Sequence, residues 1–164
     1  MSIFVAGPSG GKPYDKDVAL KIESAIAIMS AKLGIAHVPM EFDITMGRTV
    51  NKTDGDCQGW CWAKQYKESK PWEVSIFIWR KKRFRDMIKT LAHEMIHVKQ
   101  FVKDGLDLSS EPTFKGKKFV AKKSQDEYWD APWEKEAYSK QDALAEYYFN
   151  YLKKRIRSLV NSIT

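Results

Sequence analysis

Cysteine and histidine are the scarcest chemically useful residues in this chain. Cys57 and Cys61 are the only thiols among 164 residues, and there are only three histidines. Three residues separate the cysteines and no second pair exists, so neither a four-cysteine metal knuckle nor a disulfide scaffold can be assembled. A reduced, half-buried pair is the expectation for them. No run of roughly 18 or more apolar residues occurs, which excludes a membrane-spanning helix. The opening residues Met1 to Gly7 lack the basic start and long apolar stretch of a secretory signal. The expected compartment is therefore the cytoplasm, with no membrane partner. A phosphate-binding loop is missing too. Gly7-Pro8-Ser9-Gly10-Gly11-Lys12 superficially suggests one, but Ala6 stands where the first glycine belongs and Pro13 where Ser or Thr should follow the lysine.

What is present suffices for a folded domain. Residues are 43% hydrophobic, 13% aromatic and 30% charged, which excludes disorder and low complexity. The length fits one domain over 1–164. Lys and Arg total 28 against 21 Asp and Glu, a net charge of +7. That balance suits an acidic partner, and nucleic acid is the usual one. The cations concentrate at Arg80–Arg85, Lys115–Lys123 and Lys153–Arg157, a face that can supply non-specific phosphate contacts.

Periodicity predicts an α+β arrangement. Residues 1–13, with Gly7-Pro8, Gly10-Gly11 and Pro13, read as a flexible, loop-like start. Asp15 or Asp17 caps a helix that runs to about Leu33 and ends at Gly34. Alternation predicts strands over Val38–Thr45, Cys57–Ala63 and Trp72–Trp79. Phe84, Met87, Ile88, Leu91, Met95, Val98 and Val102 then switch to spacings of three and four, predicting an amphipathic helix over 83–103 stopped by Gly105. Residues 106–130 read as a long loop with a short hairpin around Phe114–Val120, and loops of that length are usually functional. Pro132 opens a last helix reaching about Leu159. The tryptophans are expected mostly in the core, with Trp129 and Trp133 walling a site.

The chemistry lies in His93-Glu94-Met95-Ile96-His97, an H-E-x-x-H pattern inside the amphipathic helix. Side chains four apart share a helix face, so both imidazoles reach one metal, and the intervening Glu can hold a water beside it. Zinc in such a site lowers the pKa of a bound water, and a carboxylate takes its proton during attack on a carbonyl. In a chain with so few histidines, chance rarely yields this spacing inside a suitable helix. A catalytic zinc takes three protein ligands. His37, between the first helix and first strand, has no ligand spacing and reads as a loop residue. The third ligand is then a carboxylate of the last helix. Glu134 shares the core-facing stripe with Ala137, Gln141 and Leu144, whereas Glu136 lies about 200° away around the helix. Glu134 is preferred and Glu136 is the alternative. Gln100, about one turn beyond His97, either lines the cleft or is a surface residue.

The run His93-Glu94-Met95-Ile96-His97-Val98-Lys99-Gln100 recurs in a recognisable company. With Phe114-Lys115-Gly116-Lys117-Lys118-Phe119, Tyr128-Trp129-Asp130 and Pro132-Trp133-Glu134-Lys135-Glu136-Ala137-Tyr138, it resembles the small zincins of phage genomes. Those are similar to SprT-like and other minimal gluzincin-type peptidases. The resemblance covers roughly residues 83–150. It implies a minimal zincin: an N-terminal helix, a small three-stranded sheet, the H-E-x-x-H helix, a long loop and a C-terminal helix carrying the third ligand. The implied activity is zinc-dependent proteolysis in the host cytoplasm, with His93 and His97 as ligands and Glu94 as general base. The related E-x-x-A motif again selects Glu134. Many gluzincins carry Glu-x-x-x-Asp, whose Asp supports a ligand histidine. Tyr138 occupies that place here, either in the same supporting role or as a donor to the developing oxyanion.

The expected function is thus a zinc metalloprotease acting on proteins or peptides. Two alternatives remain: a basic nucleic-acid-binding module with a structural or vestigial zinc site, and a zinc hydrolase of a non-peptide amide. An exposed sheet edge, the Trp72–Trp79 strand being the first choice, would hold substrate as an added strand.

Overall fold

Four alternating segments pair into one mixed sheet in the computed structural model of the protein, which describes residues 1–7, 15–47, 59–79, 83–120 and 128–162. The strands are β1 (Ser2–Ala6), β2 (Met40–Gly47), β3 (Gly59–Lys64) and β4 (Trp72–Trp79), in spatial order β1-β2-β4-β3. β1 runs parallel to β2 and β2 parallel to β4, while β3 pairs antiparallel with β4. Three helices complete the fold: α1 (Lys16–Leu33), α2 (Phe84–Asp104) and α3 (Pro132–Asn161). The class is α+β, with three helices and a small mixed sheet.

Two of the sequence expectations need correction here. Residues 1–13 are not wholly a loop: Ser2–Ala6 form an edge strand in register with Glu41–Thr45. Val5 anchors it, buried in the core. The breakers responsible for the loop reading begin only at Gly7, and residues 8–14 lie outside the described residues. The sheet accordingly has four strands, not three. The Trp72–Trp79 strand is also not an edge, because β2 and β3 pair with its two sides. The edges among the described strands are β1 and β3.

Local chemistry explains the helix ends. The Asp15 carboxylate accepts from the backbone N–H of Asp17 at 3.0 Å, which selects Asp15 as the cap of α1. Gly34 and Gly105 close α1 and α2 at φ of 69° and 67°, a left-handed conformation that a side chain would strain. Pro132 stands in the first turn of α3, where its missing N–H costs nothing. Each helix buries an apolar stripe: Ile22, Ile26 and Met29 of α1, Ile88, Leu91 and Met95 of α2, and Ala137, Leu144 and Tyr148 of α3. α1 and α2 meet the sheet, whose inner face buries Ile44, Ile76 and Ile78 completely, and α3 packs on α2 and α1. The α2–α3 contact is extensive, and α2 also packs under β3. That places the centre of α2 between the edge strand and the start of α3.

The 106–130 segment contains a hairpin, Thr113–Phe114 (β5) with Lys117–Lys118 (β6), turned through Lys115 and Gly116 at positive φ. Phe114 and Phe119 both meet the Trp133 ring edge-on, so the hairpin is pinned to the start of α3. Trp133 is the one tryptophan that is fully buried among the described residues. The expectation of a mostly core role fails for Trp60 and Trp62, which are 50% and 41% exposed on the outer sheet face. Period-two alternation assigns faces but does not say which face is covered.

Candidate metal centre

His93, His97 and Gln100 lie on one face of α2, at positions that recur every three to four residues. That face meets the first three turns of α3, where Glu134 and Gln141 share a stripe. The cluster is well shielded: His93 is 9% exposed, His97 7%, Glu94 3% and Glu134 1%.

Three donor residues converge. His93 Nε2 and His97 Nε2 are 3.1 Å apart. Glu134 places Oε2 at 3.3 Å from His93 Nε2 and Oε1 at 3.2 Å from His97 Nε2. A divalent ion bonded tetrahedrally at about 2.0–2.1 Å to such donors requires them about 3.3–3.4 Å apart. The two Nε2 atoms come close to that spacing, and each imidazole has one Glu134 oxygen at 3.2–3.3 Å. His93, His97 and Glu134 therefore form a buried group that can hold one metal ion.

Hydrogen bonding fixes the ring orientation. Gln100, which is fully buried, donates its amide N–H to the Trp133 carbonyl at 3.0 Å. Its Oε1 is then left to accept from His97 Nδ1 at 2.7 Å. That bond places the His97 proton on Nδ1 and turns the Nε2 lone pair toward the cluster. His93 Nδ1 has the same relation to Gln141 Oε1, at 3.0 Å. Two lone pairs and a carboxylate thus face one another in a low-dielectric interior, an arrangement that a cation at its centre would satisfy. Glu134 Oε2 strengthens the point, being buried without a hydrogen-bond partner. A proton on an imidazole is another remedy. Burial opposes charge on His97, but the adjoining Glu134 raises its pKa above the ordinary value. For Glu134, burial disfavours ionisation, yet the two imidazoles bring its carboxyl down to about 2.

Glu94 sits beside this group without belonging to it. Burial is the main cause that raises its carboxyl to about 7; the two imidazoles oppose the rise and Glu134 adds to it. Gly59 of β3 lies directly against Glu94, since a Cβ built on Gly59 would be 2.8 Å from Glu94 Oε1. Cys61, on the same inner face of β3, is free and partly buried. Burial, then the charges of Glu94 and Glu134, push its thiol pKa up. Cys57 lies outside the described residues.

Glu136, the alternative ligand, is elsewhere. Lys115 holds its carboxylate at 2.6 Å, Lys140 contacts it directly and Lys99 is 3.8 Å away. Burial works against its ionisation, but the bonds from Lys115 and Lys140 hold its carboxyl at about 2. Glu136 therefore ties the hairpin to α3. Tyr138 is not what holds a ligand Nδ1, because Gln141 and Gln100 fill that role for the two histidines. Its ring packs 4.6 Å from the His93 ring and touches Trp129, so it flanks the cluster at the surface. Trp129 thus borders the site through Tyr138, and Trp133 supports it from beneath. Gln100 resolves as a buried supporting residue. His37 is exposed in a turn away from the cluster.

Sequence reasoning missed Gln141 and Tyr128. Gln141 stands seven residues after Glu134 on the same helical stripe, which was the available signal. Tyr128 is partly buried, and burial followed by the charge of Glu134 raises the pKa of its hydroxyl, marking it as a neighbour of that carboxylate. No periodic pattern reaches that residue. Of the basic clusters, Arg85 pairs with Glu146, Lys115 with Glu136 and Lys118 with Glu111. Lys153, Lys154, Arg155 and Arg157 are exposed on the end of α3. Residues 80–82 and 121–127 lie outside the described residues. No helix of the described residues is long and apolar enough to cross a membrane. Comparison of the chain with protein-family models, curated proteins and solved structures found no match.

Proposed function

We propose that the protein is a zinc-dependent metallopeptidase of minimal zincin type. The observation that carries this reading is the convergence of His93 Nε2, His97 Nε2 and Glu134 at 3.1–3.3 Å. Donors of two imidazoles and one carboxylate suit zinc, and three protein ligands leave a fourth position for water or substrate. Zinc held there would supply Lewis-acid polarisation of a carbonyl and lower the pKa of a bound water.

The remaining work falls to the chain's own residues. Glu94 takes the proton of the attacking water and returns it to the leaving amine. Gln100 and Gln141 keep the two imidazoles oriented and in the required tautomer. β3, the edge strand that passes Glu94 at Gly59, is where an extended peptide would pair as an added strand. Tyr138, whose ring packs beside His93, would donate to the substrate carbonyl.

The test is metal analysis combined with two variants. The purified protein should carry about one zinc per chain, and His93→Ala/His97→Ala should lose it. Glu94→Gln should keep zinc and lose cleavage of a denatured protein substrate. Zinc retained in the double histidine variant would sink the site assignment. Unchanged cleavage by Glu94→Gln would sink the role of Glu94.

A further inference from the structure

Both imidazoles of the metal centre lean on neutral amides rather than on carboxylates. His97 Nδ1 meets Gln100 Oε1 at 2.7 Å, and His93 Nδ1 meets Gln141 Oε1 at 3.0 Å. A glutamate has the length and shape of a glutamine. Its carboxylate is the stronger acceptor for an imidazole N–H, because that bond is charge-assisted. The chain nevertheless places the neutral group at both positions.

At position 100 the amide is obligatory. Gln100 is fully buried and serves two partners at once, accepting from His97 Nδ1 and donating to the Trp133 carbonyl. A carboxylate has no N–H for that carbonyl, so a glutamate there would set two acceptors against each other in the interior. Trp133 immediately precedes Glu134, so the same amide ties a ligand of α2 to the ligand of α3.

At position 141 no such demand exists. Gln141 is only partly buried, so water can solvate a charge there. Its bond to His93 uses the oxygen, which a glutamate also offers. A carboxylate at this place would raise the basicity of His93 as a ligand. Charge, rather than space, distinguishes the two side chains. Glu94 and Glu134 are already buried beside the two imidazoles. One divalent ion balances these two carboxylates when both are ionised. A third carboxylate would give the occupied centre an excess of negative charge and strengthen its attraction for the ion.

We propose that Gln141 is a positioning residue that limits how tightly the centre holds its ion. Its neutral oxygen orients His93 while leaving the imidazole a weaker donor than a carboxylate partner would make it. Zinc is then held loosely enough to exchange, and occupancy of the centre follows the zinc supplied to it. The inference rests on the metal-centre reading given above, but not on the identity of the substrate.

The test uses the full-length protein and zinc alone. Affinity is read by competition with a chromophoric chelator, and exchange by the rate at which excess chelator strips bound zinc. Gln141→Glu keeps the length, shape and acceptor oxygen of the parent and changes only the charge. It should bind zinc about tenfold more tightly and release it correspondingly more slowly. Gln141→Met, of similar length but without the acceptor, should bind about tenfold more weakly. A side chain that merely filled space would give three equal affinities. Equal affinities with zinc bound throughout would overturn the inference and leave the metal centre standing, as would weaker binding by Gln141→Glu than by the parent. Absence of zinc binding in the parent and both variants would remove the metal centre and this inference with it. The expected order of affinities in a protein that cleaves no peptide would support the inference while counting against the peptidase reading.

Discussion

Replacing Gly59 with alanine is the most direct probe of how Glu94 is seated. The added Cβ would lie 2.8 Å from Glu94 Oε1, 2.8 Å from Thr90 Cγ2 and 2.9 Å from the Phe77 carbonyl oxygen. Ordinary contact between such atoms begins near 3.5 Å, so each neighbour must yield by roughly 0.6–0.7 Å. Phe77 is held in the interior strand β4, between β2 and β3. Thr90 is held by its hydroxyl, which donates to the Asp86 carbonyl at 3.2 Å. The Glu94 carboxylate is the most mobile of the three and will take most of the displacement. Overpacking of this kind costs about 1–3 kcal/mol. At roughly 3 °C per kcal/mol for a chain of this size, the melting temperature should fall by about 3–9 °C. Activity should fall further than stability, because a misplacement of about 1 Å at a catalytic group costs on the order of 10²-fold. Zinc content should not change, since the three donors come from α2 and α3. The assay is therefore threefold: thermal melting, zinc stoichiometry and kcat/KM on one peptide. A Gly59→Ala protein with the parent's melting temperature and kcat/KM would refute the close packing of β3 on Glu94.

Two further outcomes follow from the supporting residues. Gln141→Ala should lower zinc affinity about 10–100-fold with a small effect on stability, since Gln141 is only partly buried. Gln100→Ala should do the same and also destabilise by about 1–3 kcal/mol, because it leaves the Trp133 carbonyl buried without its donor. Competition with a zinc chelator measures both, and unchanged affinity in Gln141→Ala would disprove its role. Glu136→Gln should leave zinc affinity intact and reduce acid-dependent stability. The Glu136 carboxyl sits at about 2 in the folded protein, below an unfolded value of about 4.3. Its ionised form stabilises the fold above about pH 4.3, and that contribution is lost as pH falls through about 2. The gap in melting temperature between parent and Glu136→Gln should therefore be widest near neutral pH and close on acidification. A gap constant across that range would contradict the three-lysine arrangement.

What the sequence made legible was what depends on a single element. The two histidines and Glu94 are spaced by the turn of one helix. Glu134 separates from Glu136 because a two-residue step rotates the side chain to the opposite side. Both arguments need only helical geometry, and both describe where the side chains lie. Tyr138 shows where such reasoning stops. A position borrowed from a family pattern sits four residues after Glu134, but the atom that reaches His93 Nδ1 belongs to Gln141, seven residues on. Which of the two meets the ring depends on how α3 crosses α2, a tertiary quantity. The same limit applies to the sheet. Alternation in Trp72–Trp79 reads identically whether the strand is at an edge or in the middle. Its interior place arises because β3 pairs on one side while β2 arrives in parallel on the other.

Gly59 and Gly47 carry this reasoning one step further. In sequence Gly59 falls inside the predicted Cys57–Ala63 strand, and Gly47 lies just past the predicted Val38–Thr45 strand. In the fold each is a strand position where absence of a side chain makes room for something larger. Gly59 admits the Glu94 carboxylate on the inner face, and Gly47 admits the Phe77 and Trp79 rings on the outer face. The two openings lie on opposite sides of one small sheet. The inner one gives the edge strand its close approach to Glu94, and the outer one lets the Phe77 and Trp79 rings meet edge to face. A sheet that served only to bury the helices would gain from a side chain at both positions, since strand glycine is weakly unfavourable. At Gly59 the space is filled by the Glu94 carboxylate, and at Gly47 by two aromatic rings.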